Sequence, residues 1–174
     1  VAAKGAKRPY SQLRSVLLPF QRIAVTLGRA KADEGSDILP LRAAEFAGGA
    51  PSLPSDRLFS GFYLNELLMK LLARQDAHPR LFDAYAETLL TLATRDSGGD
   101  EATLRAFELM LLRETGVLPE LGCNTLTQEP LRPDRGYALR PEAGLVVASA
   151  DEPALSAAQC LALQTALDAH HAEA

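Results

Sequence analysis

The sequence predicts an α+β protein in which short strands precede residue 48 and helices dominate after residue 57. Apolar and polar residues alternate with the period of a strand only in the first fifty residues, and beyond Leu58 apolar residues recur at helical spacing. A Gly/Pro/Ser-rich stretch, GGAPSLPSD, separates the two patterns. We therefore expect a β domain at 1–48, a linker at 49–57, and a helical domain at 58–174 with an irregular or β insertion near 117–153.

Three short strands are expected in the β domain. Within Ser15–Leu27 the residues Ile23, Val25 and Leu27 alternate with more polar neighbours, which is typical of a half-buried strand. The stretch ILPLRAAEF predicts a second strand, and the pair KG at residues 4–5 is read as the end of an earlier one. Three strands form only part of a small barrel.

Four helices are expected after the linker, each with a recognisable start. Ser55 or Asp56 can cap LFSGFYLNELLMKLLARQ, and Pro79 suits the first turn of RLFDAYAETLLTLATR. Asp100 is predicted to cap EATLRAFELMLLRET, which Gly116 closes in the position where helices commonly end in glycine. The stretch SAAQ at 156–159 is a capping box that opens a helix toward residue 169.

The stretch between the third and fourth helices is rich in proline and glycine. Within it YAL and GLVVAS, at 137–139 and 144–149, predict a short hairpin.

Basic side chains are concentrated at the start of the chain. The formal net charge is -4, yet residues 1–32 contain seven Lys and Arg and no acid. The positive electrostatic potential of such a cluster favours binding of a polyanion. Lysine and arginine bind the phosphate backbone of nucleic acids in this manner, without base-specific contacts. The predicted DNA-binding residues are Lys4, Lys7, Arg8, Arg14, Arg22 and Arg29. Tyr10 and Phe20 offer aromatic rings for stacking on bases, but Phe20 follows Pro19 at a predicted strand start, which favours a place in the core. The alternative is that these cations only solubilise a surface strand.

Composition and motifs argue against several other classes of protein. The chain has no nucleophile elbow, no phosphate-binding loop of the Walker type, no HExxH and no CxxC, so we expect no enzymatic activity and no cofactor. His78 precedes a helix start and is read as a solvated or capping residue. No run of 18 apolar residues predicts a membrane span, and the cytoplasm is the expected compartment.

Four cations stand out on the otherwise apolar or acidic helices of the second half: Lys70, Arg74, Arg105 and Arg113. The simplest interpretation is that they form the solvated side of a helical bundle. The functional alternative is a groove that receives an acidic peptide with an apolar end, with arginine as the bidentate partner of its carboxylate.

Four stretches in this order resemble the bacterial recombination mediator RecO family: KGAKRPYSQLRSVLLPFQ, LFSGFYLNELLMKLL, LFDAYAETLLTLA and LRAFELMLLRETG. The resemblance implies an N-terminal OB-fold, here partial, a helical domain, and no catalytic site. It implies binding of single- and double-stranded DNA, annealing of complementary strands, and help in RecA loading together with RecR. A nucleoid-associated location in the cytoplasm is then expected.

The resemblance also assigns roles to named residues. Lys4, Lys7, Arg8 and Arg14 match the basic stretch that contacts phosphates in the family. Arg105 matches the arginine of a motif associated with the acidic C-terminal tail of single-strand binding protein, and Lys70 and Arg74 are weaker candidates for the same role.

Two departures from the family pattern affect these expectations. Relative to the family pattern, we expect that the first OB strands are missing and that the chain ends early, which would leave an incomplete barrel. Many members carry a four-cysteine zinc site, whereas here only Cys123 stands at such a position, and Leu126, Val147 and Ala150 replace the other three. Zinc is therefore not expected.

The rival function is an interaction scaffold whose basic end docks an acidic protein.

Overall fold

The computed structural model describes residues 1–4, 6–29, 38–48, 52–94 and 99–172, the side chains of 170–172 excepted. Within these residues it is α+β, as predicted. The chain divides into two compact units: unit 1 comprises Val1–Tyr63 and Leu89–Asp96, and unit 2 comprises Leu64–Thr88 and Ser97–Ala174. Gly5 of the predicted first strand, residues 30–37 and the start of the predicted linker at 49–51 lie outside the described residues.

Unit 1 contains a small antiparallel sheet of β1 (Ile23–Leu27) and β2 (Leu41–Phe46). Ala2 adds a one-residue parallel bridge to Pro40, its N–H donating to the Leu39 carbonyl at 2.9 Å. The register shifts between Thr26 and Leu27 and so produces a bulge. The described residues form no closed barrel, and the partial OB-fold therefore stays a prediction.

Two details of the predicted strands are wrong. Ser15 and Val16 belong to a short helix, α1 (Leu13–Val16), because local bonds such as Arg14 N–H to the Ser11 carbonyl turn the chain before Pro19. Lys4 lies in a turn rather than in a strand. Val25 is about half exposed, so β1 has no strongly buried face.

After β2, unit 1 continues with a 3-10 turn, Ser55–Arg57, that leads into α2 (Leu58–Leu71). α3 (Pro79–Thr94) ends in this unit. The buried Arg57 donates from Nη1 to the carbonyl of Leu92 at 2.5 Å. Carbonyls in the last turn of a helix have no intrahelical partner, so this guanidinium caps the C-terminus of α3.

Phe20 contacts the start of α2 within unit 1. Its φ of 64° is unusual for a residue with a side chain, and its ring lies 5.2 Å from that of Phe62. The side chain also covers Gly61, where an added Cβ would be 2.8 Å from two ring atoms. Phe20 is therefore a packing residue. The sequence had favoured this role over base stacking.

Unit 2 contains the rest of α2 and α3, then α4 (Asp100–Glu114), β3 (Gly136–Arg140), β4 (Gly144–Val147), β5 (Leu155–Ser156) and α5 (Ala157–Ala172). The sheet order is β4-β3-β5, antiparallel throughout. The predicted hairpin is confirmed, and β5 is an addition. One core cluster joins this sheet to α5: Leu121, Tyr137, Leu145, Ala157, Cys160 and Leu167.

Most predicted helix ends of unit 2 are confirmed by their hydrogen bonds. In the capping box, Ser156 N–H donates to Gln159 Oε1 at 2.8 Å and Gln159 N–H to Ser156 Oγ at 3.2 Å. Gly116 has φ 72°, and its N–H donates to the Arg113 carbonyl at 2.9 Å. Asp100 is the first residue of α4 rather than its cap, which is Gly99.

Candidate functional site

All six predicted DNA-binding residues are described, belong to unit 1, and are exposed. They lie in the N-terminal turns, on α1, and on either side of β1: Lys4, Lys7, Arg8, Arg14, Arg22 and Arg29. Within the described part of the chain, no ion pair engages Lys4, Lys7, Arg8, Arg14 or Arg29. Unneutralised cations on a surface are what a phosphate backbone requires.

A seventh cation of this surface was not identified from the sequence. Arg42 is exposed and occupies the bulge of β2, between Leu41, which pairs with Leu27, and Ala43, which pairs with Thr26. Its side chain crosses Gly28, where a Cβ would lie 2.9 Å from Arg42 Nε. A bulge depends on pairing between segments distant in sequence, so no local signal marks Arg42.

Tyr10 is fully exposed at 99% in the N-terminal turns of unit 1. The sequence offered Tyr10 and Phe20 as aromatic rings for stacking on bases, and Phe20 is engaged with Phe62. Tyr10 therefore remains available for stacking.

An apolar groove of about 530 Å³ lies between the second half of α2 and the first half of α3, within unit 2. Leu68, Met69, Leu72, Leu81 and Phe82 provide its apolar lining. Met69 is 86% exposed and Phe82 51%, so two large apolar side chains are presented to solvent at this groove. Exposed apolar surface of this kind marks sites of interaction.

Polar groups of the groove come from Asn65, Asp76, His78 and Tyr85. Tyr85 donates to Asn65 Oδ1 at 2.6 Å, and its ring lies against Phe107 of α4 at 6.3 Å in an edge-to-face arrangement. Burial raises the pKa of Tyr85 to about 12. His78 Nε2 lies 3.2 Å from Asp76 Oδ2.

The three predicted partner-binding residues belong to unit 2. The contacts of the described residues do not place them together. Lys70 pairs with Glu66 at 2.7 Å on α2, and Arg105 pairs with Glu108 on α4. Arg74 lies in the turn after α2 rather than on the helix, since α2 ends at Leu71. The side chain of Arg105 is 62% exposed, whereas Phe107 beside it is buried. Arg113 pairs with Asp168 of α5 at 2.5 Å.

The turn that begins at Cys123 is organised by hydrogen bonds between protein groups. Asn124 Oδ1 accepts the N–H of Leu126 at 3.0 Å and that of Thr127 at 3.2 Å. Thr125 N–H donates to the Leu145 carbonyl at 2.8 Å, and Thr125 Oγ1 accepts the Leu145 N–H at 2.9 Å. These bonds attach the turn to β4.

The residues at this turn do not fit a zinc ion. Of the four positions that would supply ligands, only Cys123 carries a donor atom, because the side chains of Leu126, Val147 and Ala150 are hydrocarbon. The described residues include no group of three or more His, Cys, Asp or Glu placed to bind a metal. They also include no helix both long and apolar enough to cross a membrane.

Comparison with known proteins identifies relatives over nearly the whole chain. Proteins named DNA repair protein RecO are 52% identical over 174 residues in Acidovorax ebreus (strain TPSY), 49% over 172 in Variovorax paradoxus (strain S110) and 47% over 169 in Verminephrobacter eiseniae (strain EF01-2). Each alignment covers 97% of this chain. The chain spans 66%, 65% and 66% of the length of these curated relatives, respectively.

A family model described as Recombination protein O C terminal matches residues 55–170, from the 3-10 turn that precedes α2 almost to the end of α5. This match covers more than half of the chain, and the identities above extend the similarity to the β strands of unit 1. The resemblance seen in the sequence motifs is therefore confirmed: the chain belongs to the RecO family.

Proposed function

We propose that this protein is a non-catalytic DNA-binding mediator of recombinational DNA repair, acting in the cytoplasm at the nucleoid. It binds single- and double-stranded DNA through unit 1, promotes annealing, and assists RecA loading together with RecR and single-strand binding protein. The observation that carries the proposal is the set of exposed cations of unit 1, five of which make no ion pair within the described residues. Family membership supplies the biological context.

The physical basis of the DNA contact is the release of counterions. Each phosphate neutralised by a lysine or arginine releases condensed cations, which favours binding without reading the base sequence. Arg42 adds a charge on β2, and Tyr10 adds an aromatic face on which an unpaired base can stack. This combination favours single strands, since paired bases do not expose their faces.

A labelled oligonucleotide titrated over a salt series tests this proposal. Lys7→Ala and Arg8→Ala should each flatten the log-log salt dependence on single strands by about 0.7, the value for one lost phosphate contact. Arg140→Ala is the matched control, because Arg140 lies in unit 2 and pairs with Glu152 at 2.6 Å. Equal slopes for all three variants and the wild type would show that the basic residues only solubilise the surface.

The rival function, a scaffold whose basic end docks an acidic protein, predicts a different result in the same titration. Its oligonucleotide affinity would be negligible, whereas an acidic protein partner would still bind to the basic end, with an affinity that falls as added salt screens the charges.

For the acidic tail of single-strand binding protein, we propose the groove between α2 and α3 as the apolar part of the site. The exposed side chains of Met69 and Phe82 support this choice, as do Lys70 in the last turn of α2 and Arg74 in the turn that follows it. Arg105 is the family-based candidate for the carboxylate. It lies on α4, whose Phe107 supports Tyr85 at the groove.

Calorimetry with a tail peptide separates these contributions. Arg105→Ala should weaken the peptide by about 1.5 to 3 kcal/mol, the scale of a charge-assisted hydrogen bond, and Arg105→Lys should recover only part. Met69→Glu should also weaken it, since it places a like charge beside an acidic ligand. Wild-type affinity in Arg105→Ala with a loss in Met69→Glu would assign the groove and exclude Arg105. The reverse result would exclude the groove.

A further inference from the structure

A second, smaller pocket of about 160 Å³ lies in unit 2, apart from the groove between α2 and α3. The turn after Cys123, the segment that leads into β3, and the end of β4 form its walls. Its lining is Asn124, Glu129, Pro130, Arg132, Arg135, Tyr137 and Val147. The volume suits a single small group, such as one phosphate with its ester oxygens, and not a peptide.

Two arginines are brought to this pocket by one tight turn. Arg135 N–H donates to the Arg132 carbonyl at 3.2 Å, with Pro133 and Asp134 at the corner. In a turn of this kind the first and fourth residues lie within about 7 Å of each other, and proline favours the second position. The turn thus places two guanidinium-bearing residues side by side.

The wall that carries these arginines is fixed by the core. The buried Tyr137 of β3 accepts the N–H of Arg132 at its hydroxyl, at 2.6 Å. On the facing side, Asn124 is fixed by the two N–H groups that its side-chain oxygen accepts. The backbone that surrounds the pocket is therefore ordered before any ligand binds, which limits the entropy cost of binding.

The charges of the pocket are not neutralised within the described residues. Among the described residues, no hydrogen bond or ion pair engages the side chain of Arg132 or Arg135, whereas Arg140 on the same β3 hairpin is paired with Glu152. Glu129 is the one acid of the lining. The lining carries two cations and one carboxylate, a net charge of about +1, while Asp134 stands at the corner of the turn outside the lining. This charge matches a phosphodiester at -1 better than free phosphate or a phosphomonoester near -2.

We propose that Arg132 and Arg135 form a binding site for one backbone phosphate of nucleic acid, separate from the basic residues of unit 1. The inference rests on the proposed function, since it adds a second contact to the same ligand. Arginine forks suit phosphate oxygens, and the carboxylate of Glu129 weakens the site for more highly charged anions.

The test uses the full chain with a long labelled single-stranded oligonucleotide, over a salt series. Loss of one phosphate contact weakens binding by about fourfold at 0.15 M salt and flattens the log-log slope by about 0.7. The Arg132→Ala, Arg135→Ala double variant should lose the affinity and the salt slope of only one phosphate contact, because both residues bind the same phosphate. Arg140→Ala should bind as wild type.

Glu129→Gln gives a result that a merely structural role would not produce. Removing the carboxylate should tighten oligonucleotide binding, by roughly twofold or more, and this gain should vanish in the double-arginine background. Replacing chloride by inorganic phosphate at equal ionic strength should leave the contribution of Arg132 and Arg135 unchanged.

The outcomes separate this inference from the proposed function. If Lys7→Ala weakens binding while the double-arginine variant behaves as Arg140→Ala, the pocket is not a DNA contact and the function of unit 1 stands. If inorganic phosphate abolishes the contribution of the two arginines, the pocket prefers the free anion and the inference is wrong. If the wild-type chain binds no oligonucleotide, both proposals fail.

Discussion

Replacing Gly61 by alanine should destabilise the protein, although alanine is the better helix former. Gly61 is buried within α2. A Cβ at this position would lie 2.6 Å from Leu53 Cδ1 and 2.8 Å from Cε1 and Cζ of Phe20. These separations are well below the 3.5 to 4.0 Å, approximately, at which carbon atoms pack.

Two opposing effects set the magnitude. Alanine in place of glycine stabilises a helix interior by about 1 kcal/mol, and an added methyl group in a packed site costs about 1 to 3 kcal/mol. The Leu53 methyl can rotate away. The Phe20 ring has less freedom, because it packs on Phe62 and belongs to a residue with φ 64°. The cost therefore exceeds the gain, and we expect a net loss of about 1 kcal/mol.

Urea titration followed by far-UV circular dichroism measures this loss. Gly122→Ala is the control, since a Cβ at Gly122 would meet nothing within 4 Å. In a double-mutant cycle with Leu53→Ala, part of the clash is relieved, and a coupling of at least about 0.5 kcal/mol is expected. A Gly61→Ala variant about 1 kcal/mol more stable than wild type would refute the packing of Phe20 and Leu53 on α2.

Three further results are expected. Arg57→Met should lower stability by about 2 kcal/mol in urea titrations, because it leaves the buried Leu92 carbonyl without its charged donor; a change below about 0.5 kcal/mol would contradict the capping role. The pKa of Tyr85 is raised from 10.0 to about 12 in the folded protein, so the free energy of unfolding should fall as the pH rises through this interval. Urea midpoints measured across the interval should show a shallower fall in Tyr85→Phe. Chelators should leave the thermal midpoint unchanged; stoichiometric zinc in purified protein would overturn that expectation.

Sequence patterns predicted the features that depend on neighbouring residues. The capping box at 156–159 and the Gly116 helix end involve bonds over three or four positions, so the residue types alone indicate them. The β3–β4 hairpin follows from two short apolar runs with a tight connection. The position of α1 was missed because β-branched and apolar residues at 15–18 favour a strand, whereas turn bonds from Ser11 onward decide the local structure.

Features built from distant segments were not accessible from the sequence. Arg57 is charged and would be expected at the surface, yet it is buried against Leu92, 35 positions away. Phe62 is about half exposed although its side chain is large and apolar, since α2 has more apolar residues than one buried face can accept. The predicted DNA-binding residues were identified by their charge alone. Charge predicts a basic surface, but it does not predict the bulge in β2 at which Arg42 lies.

The Asn124 turn also affects the order in which unit 2 can fold. The bonds of Asn124 to Leu126 and Thr127 close loops of two and three residues, so they cost little chain entropy and need no distant segment. A zinc site made of two cysteine pairs would have to wait for both segments and for the metal. The bonds of this turn can therefore form before the β3–β4 hairpin docks on it through Thr125, and they need no metal.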